Sequence, residues 1–279
     1  MQTQTLLDDL CFGEGPRWHD GKLYFSDMHD HKVWAVTLDG HKTLIAEVAQ
    51  QPSGLGWLPD GSLLIVSMLN RQLLRWREGK LEIFADLMNL ASYHCNDMVT
   101  DRKGRSWVGN FGFDIFTGET PCNAELILVD DRGQARVVAE ELAFPNGAVI
   151  TPDGSTLIVG ETWGARLTAF DIAPDGSLDN RRLWAQLENA VPDGICLDEA
   201  LGIWVASPSS NEVLRVEQGG HITHRIPLEN PAYACMLAGE DRRTLCIFTA
   251  ESSVPEECRT RRSGRIETIE VEIPGAGLP

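Results

Sequence analysis

The chain has 279 residues, a formal charge of −17 and 43% hydrophobic residues. That is enough apolar material for a sizeable core. The acidity argues against a general nucleic-acid partner or an anionic membrane surface.

The chain opens on Met1-Gln2-Thr3-Gln4-Thr5, with neither a basic nor an apolar leader segment, and no later apolar run approaches the ~18 residues of a membrane span. A cytoplasmic protein is therefore expected. The seven cysteines are scattered, with no C-x-x-C pair, and read as reduced, mostly buried thiols. Helical patterns are few. Short β-rich runs recur instead: KLYFSD (22–27), SLLIVSM (62–68), RSWVGN (105–110), STLIVGE (155–161), GIWVAS (202–207) and TLCIFTA (244–250). Each follows a turn, and each turn follows another short strand. In register, the first strands of these six hairpins begin at Glu14, Ser53, Asn96, Asn146, Asp193 and a small residue, Ala234 or Cys235. A period of about 40 to 50 residues with four short strands per unit is the signature of a propeller. The expected fold is all-β, a six-bladed β-propeller over residues 1–279 as one domain. GRIETIEVEIPGAG (264–277) or TQTLLDD (3–9) is expected to close the ring.

The same register separates two look-alike tripeptides. Asp153-Gly154 sits within its hairpin, as do Asp20-Gly21 and Asp60-Gly61, where Asp-Gly is ordinary turn chemistry. Asp193-Gly194 aligns instead with Asn146-Gly147, at the head of an innermost strand. Innermost strands converge on a narrow channel, so their first residues face one another. Glu, Ser, Asn, Asn and Asp at one end would repel or stay unpaired without a cation. An all-oxygen donor set suits a hard divalent ion, Ca²⁺ above Mg²⁺, Mn²⁺ or Zn²⁺.

GEGPRW, CNDMVTDRKGR, FPNGAVITPDG and PDGICLDEALGIWVA resemble the signature segments of the gluconolactonase / senescence marker protein (regucalcin) family. The resemblance runs from Glu14 to about Ala250. It implies a six-bladed propeller with one divalent cation in the central channel and hydrolysis of a small-molecule lactone. It implies Glu14, Asn146 and Asp193 as metal ligands, Asp193 also as general base, and Asn96 as a substrate-binding residue or further ligand. Family members acting on sugar lactones often carry an arginine two residues before Asn96. Here His94 stands there, and an imidazole does not reproduce a guanidinium fork. A less hydroxylated lactone or another small ester is therefore expected, with His94 touching substrate. Phosphotriester hydrolysis at the same metal site and a non-enzymatic calcium-binding propeller are the competing readings. Neither a G-x-S-x-G elbow nor a dinucleotide or P-loop fingerprint appears.

Three further groups are singled out. Asp27, Asn110, Glu161 and Ser207 end second strands on the metal's face, and read as groups that support the metal's ligands from behind or line the pocket, or equally as surface caps. Phe111, Phe113 and Phe116 look exposed and read as a lid, an apolar wall or packing against a neighbouring blade. Trp57, Trp107 and Trp204 read as core between blades, and His29 as a possible substrate contact.

Overall fold

The structure is a computed structural model that describes residues 2–276 and 278. It contains six four-stranded antiparallel sheets. Their innermost strands are Gly13–His19, Pro52–Trp57, Cys95–Thr100, Pro145–Ile150, Ile195–Leu197 and Ala232–Ala238. Each touches the next, and the last returns to the first, so the sheets close into the expected propeller. The α-helix Pro255–Arg261 and the 3₁₀ turn Met28–Asp30 are the helices among the described residues.

Closure uses both ends of the chain. In the sixth blade the order runs Ala232–Ala238, Thr244–Thr249, Gly264–Glu270 and, outermost, Gln4–Leu10. The tail thus supplies the third strand and the first residues supply the fourth. Beyond them, Gly275 bridges to Asp198 and Leu278 to Ile150, so the tail crosses from blade five to blade four.

The second strands are the apolar runs of the sequence, and they bury almost completely. Leu63–Ser67, Ser106–Asn110 and Ile203–Ser207 are buried at every residue. A strand flanked by blades on both faces needs apolar side chains on both, which is why these runs are continuous rather than alternating. Trp107 and Trp204 are buried between blades as expected, and Trp107 Nε1 donates to the Gly176 carbonyl at 3.2 Å. Trp57 is only partly buried and stacks on His19 at 4.0 Å.

Candidate functional site

In five of the six blades the pairing of inner and second strand is interrupted where the inner strand begins; in the fifth, the regular strand starts at Ile195, two residues after Asp193. Pro52 pairs with Ser67 but Leu55 with Ile65. Cys95 pairs with Asn110 but Met98 with Val108. Pro145 pairs with Glu161 but Ala148 with Val159. In each case two residues face one, a β-bulge that re-aims the side chains it contains. The bulged residues include Ser53, Asn96 and Asn146, three of the lead positions read from the sequence. Glu14 pairs with Ser26 directly before the corresponding irregularity in blade one.

The sixth lead position differs from the expectation. Ala232 pairs with Thr249 and Ala234 with Phe248, so the bulged residue is Tyr233, not Ala234 or Cys235. Cys235 instead packs in the core, its Sγ 3.8 Å from that of Cys196. Blade six carries no Asn-Gly or Asp-Gly at its head, so small residues nearby gave a false register.

Glycine lets these bulges pack. A Cβ on Gly147 would lie 2.6 Å from the Ile195 nitrogen and 2.8 Å from the Asp193 carbonyl. Gly15 has φ +56°, and a Cβ there would meet the Ser53 carbonyl at 2.8 Å. Substitution at either position would push neighbouring inner strands apart.

Of the three expected roles, the residues that end second strands take the first: they brace the site from behind and are neither pocket wall nor surface caps. Asp27, Asn110, Glu161 and Ser207 are all fully buried. Asp27 accepts the backbone N–H groups of Phe12 at 2.8 Å and Cys11 at 3.2 Å. Asn110 Oδ1 accepts that of Gly112 at 2.9 Å and, at 3.4 Å, that of Tyr93. Glu161 accepts that of Ala143 at 2.8 Å, and Ser207 Oγ that of Val191 at 3.1 Å. Phe12, Tyr93, Ala143 and Val191 lie two or three residues before Glu14, Asn96, Asn146 and Asp193. Four blades thus hold the segment entering the site by the same device.

Glu14, Asn96, Asn146 and Asp193 line one cavity of about 550 Å³, together with His94, His29 and Tyr233. The structure therefore brings Glu14, His94, Asn96, Asn146 and Asp193 to one place, whereas Ser53, the other lead residue of the expected oxygen set, is not among the residues that line the cavity. Burial pushes the Glu14 carboxyl well above its ordinary range, and the charges of Asp193 and Asp97 push it further. Asp193 is pushed up to about 8 by burial and by Asp97, against the hydrogen bond it takes from Asn146. Asp97, which sequence reasoning passed over, lies beside them. It is committed elsewhere: its Oδ1 takes the Arg17 guanidinium at 2.8 Å and the Met98 N–H at 2.8 Å.

The Asn146 amide has a defined orientation. Thr162 Oγ1 donates to the Pro192 carbonyl at 2.7 Å, so its proton is used. It can then only accept from Asn146 Nδ2, 3.2 Å away. The Asn146 carbonyl oxygen is left as an acceptor. Among the described residues, no cluster of three or more His, Cys, Asp or Glu is arranged to hold a metal. A cation here would draw on the two carboxylates and on amide oxygens. That set fits a hard divalent ion, whose charge would offset the burial and the neighbouring carboxylate charge that raise Glu14 and Asp193.

His94 and Asn96 both line the cavity, as their spacing predicts. The His94 ring lies 4.1 Å from that of Tyr93, and burial lowers its pKa, so it is neutral at neutral pH. His29 is also a neutral imidazole, its pKa pushed down to about 4 mainly by burial. Its Nε2 lies 3.2 Å from the Ser253 carbonyl and so carries the proton, while Nδ1 has no protein partner. His19, by contrast, stacks on Trp57, away from the cavity.

Residues 12–251 match the SMP-30/Gluconolactonase/LRE-like region. The chain belongs to that family. It is similar to a 6-deoxy-6-sulfogluconolactonase from Pseudomonas putida, 28% identical over 191 residues that span 66% of this chain and 64% of that one. It is also similar to regucalcin from Gallus gallus, 23% identical over 91% of this chain and 88% of that one. The crystal structure of a calcium-binding protein, regucalcin, from Agrobacterium tumefaciens superposes with a TM-score of 0.83 at 21% identity. That superposition covers 100% of this chain and 96% of that one. At this identity the likeness shows the fold.

Proposed function

We propose that this protein hydrolyses a lactone at the channel end formed by Glu14, Asn96, Asn146 and Asp193, with one divalent cation, Ca²⁺ foremost, held by Glu14, Asn146 and Asp193. The observation that carries this reading is the pair of carboxylates, Glu14 and Asp193, which line one cavity and are both raised in pKa, first by burial and then by neighbouring carboxylate charge. Membership of a family that includes lactonases supports it.

When bound, the cation supplies Lewis acidity to the ester carbonyl and lowers the pKa of water. The protein's own residues do the rest. Asn146 presents its carbonyl oxygen because Thr162 holds its NH₂ group. Asn96 and His94 contact the lactone and set its orientation over the carboxylates. Asp193 takes the proton as water adds to the acyl carbon. The acyl C–O bond of the ring breaks, its electrons pass to the ring oxygen, and the proton follows. The products are a hydroxy-carboxylate and, at neutral pH, one released proton.

Proton release makes a pH-stat panel the direct test: aldonolactones, aliphatic lactones and a phosphotriester, each with and without EDTA. The expected outcome is lactone turnover that EDTA abolishes. Turnover of the phosphotriester alone would transfer the site to that chemistry. Metal binding without turnover of any ester would make the protein a non-enzymatic cation binder.

A further inference from the structure

The cavity divides sharply into a polar floor and an apolar wall. Above Glu14, Asn96, Asn146 and Asp193, one side is built of aromatic rings. Phe111 stacks on Phe144, with centroids 4.7 Å apart and planes 20° apart. Phe144 meets Trp163 edge-on at 6.3 Å. Both Phe111 and Phe144 are buried, whereas Trp163 is 59% exposed and Phe116 52% exposed, and all four line the cavity. The Phe144 ring is seated by a backbone with φ +63°, a strained conformation for a bulky residue. Of the three phenylalanines of 110–123, Phe111 and Phe116 thus form the wall while Phe113 packs beneath it. Large aromatic faces left open to water at a cavity mouth gain most by covering an apolar ligand.

Charge gives a second, independent constraint. Among the described residues lining the cavity there is no Lys or Arg. A sulfonate, phosphate or carboxylate on the substituent would meet Asp114 beside the rings, with no side-chain cation to receive it. A hydroxyl group laid against the faces of Phe111 and Phe144, which are buried, would be desolvated without a hydrogen bond from the rings.

Resting on the lactone-hydrolase reading, we propose that the substrate is an uncharged lactone carrying an apolar substituent of phenyl or pentyl size. The ester ring sits over the carboxylates, and the substituent lies against Phe111, Phe144, Trp163 and Phe116. A cavity of about 550 Å³ falls within the range that encloses small organic ligands.

The test is kcat/KM for four δ-lactones: unsubstituted δ-valerolactone, a pentyl-substituted ring, the same ring with a carboxylate ending the chain, and gluconolactone. Each buried methylene is worth about fourfold, so with about half of its chain covered the pentyl lactone should exceed δ-valerolactone by about thirtyfold or more. It should exceed the carboxylate-tailed lactone and gluconolactone by at least about tenfold. Trp163→Ala and Phe116→Ala should each lower the pentyl-to-unsubstituted ratio by about tenfold, and both sites are exposed enough for the fold to tolerate the change. Turnover of all four lactones without preference, a preference for gluconolactone or the charged tail, or an unchanged ratio in both variants would overturn this proposal and leave the hydrolase reading intact. Failure of every lactone, δ-valerolactone included, would overturn both.

Discussion

Asp153 and Asp193 stand in the same Pro-Asp-Gly tripeptide, and backbone position gives them different chemistry. Asp153 is an exposed hairpin residue whose carboxylate accepts from Thr151 Oγ1 at 2.6 Å and the Ser155 N–H at 3.1 Å. Asp193 faces Glu14 across the channel end. Asp193→Ala and Glu14→Ala should each lose bound cation and at least about a hundredfold in kcat/KM, a loss of the order expected for a ligand or general base. Asp153→Ala should keep both, as metal analysis and pH-stat kinetics would show. A second prediction follows from the raised carboxyls. Folded Asp193 titrates at about 8 against an ordinary value of 3.8. Without cation, the folded protein therefore holds a proton that the unfolded chain loses as pH rises above 4. This contribution to stability is fully present in acid and declines as pH rises towards 8. The melting temperature of EDTA-treated protein should thus fall between pH 5.5 and 8, by about 2–4 °C for each kcal/mol lost. Asp193→Asn should flatten the slope; parallel slopes would contradict the buried-carboxylate account. Glu14, Asn146 and Asp193 were legible in the sequence because turn residues punctuate their hairpins. Tyr233 was hidden because no such residue marks its blade, and Asp97 because its partner Arg17 lies 80 positions away in the chain.

At the scale of elements, the braces decide how well the site is held. Hairpin geometry placed Asp27, Asn110, Glu161 and Ser207 on the correct face. It could not reveal that each turns inward to a backbone N–H, because that depends on how the preceding loop folds back. Glu161 has the most partners: the Ala143 N–H, Thr168 Oγ1, and the guanidinium groups of Arg166 at 2.7 Å and Arg181 at 3.3 Å. Removing it leaves a buried N–H unpaired and two arginines without their carboxylate. Glu161→Ala should destabilise by about 2–4 kcal/mol in urea unfolding, discounted because both arginines are about a third exposed. It should also weaken cation affinity, since Ala143 leads into Asn146. Glu161→Gln, which still accepts hydrogen bonds, should recover part of both. Equal stability of the alanine variant and the wild type would show that the loop is held by other contacts. The segment 110–123 was legible as apolar. Its division into one packed ring and two lining rings was not, since that rests on Phe144 and Trp163 from the next blade.

At the scale of the molecule, six-fold periodicity made the propeller legible. Closure was only half legible, since either end of the chain was a candidate and both are used. Gln4–Leu10 pairs with Gly264–Glu270 over an edge that would otherwise stand open. Deleting residues 2–10 should cost several kcal/mol, because fully buried Leu10 leaves the core with the strand. A lower urea midpoint would show this, and an unchanged midpoint would contradict closure by the first strand. The ring matters because it brings lead residues from separate blades to one channel end, where carboxylates and amides have opposing needs that a cation would reconcile. The measurement that tests this most directly is lactone hydrolysis by EDTA-treated protein as Ca²⁺, Mg²⁺, Mn²⁺ or Zn²⁺ is titrated back. The account predicts negligible hydrolysis at the start, then activity rising to a plateau at one equivalent per chain with at least one of these ions, and no recovery in Asp193→Ala. Full activity in protein stripped below a tenth of an equivalent would contradict it.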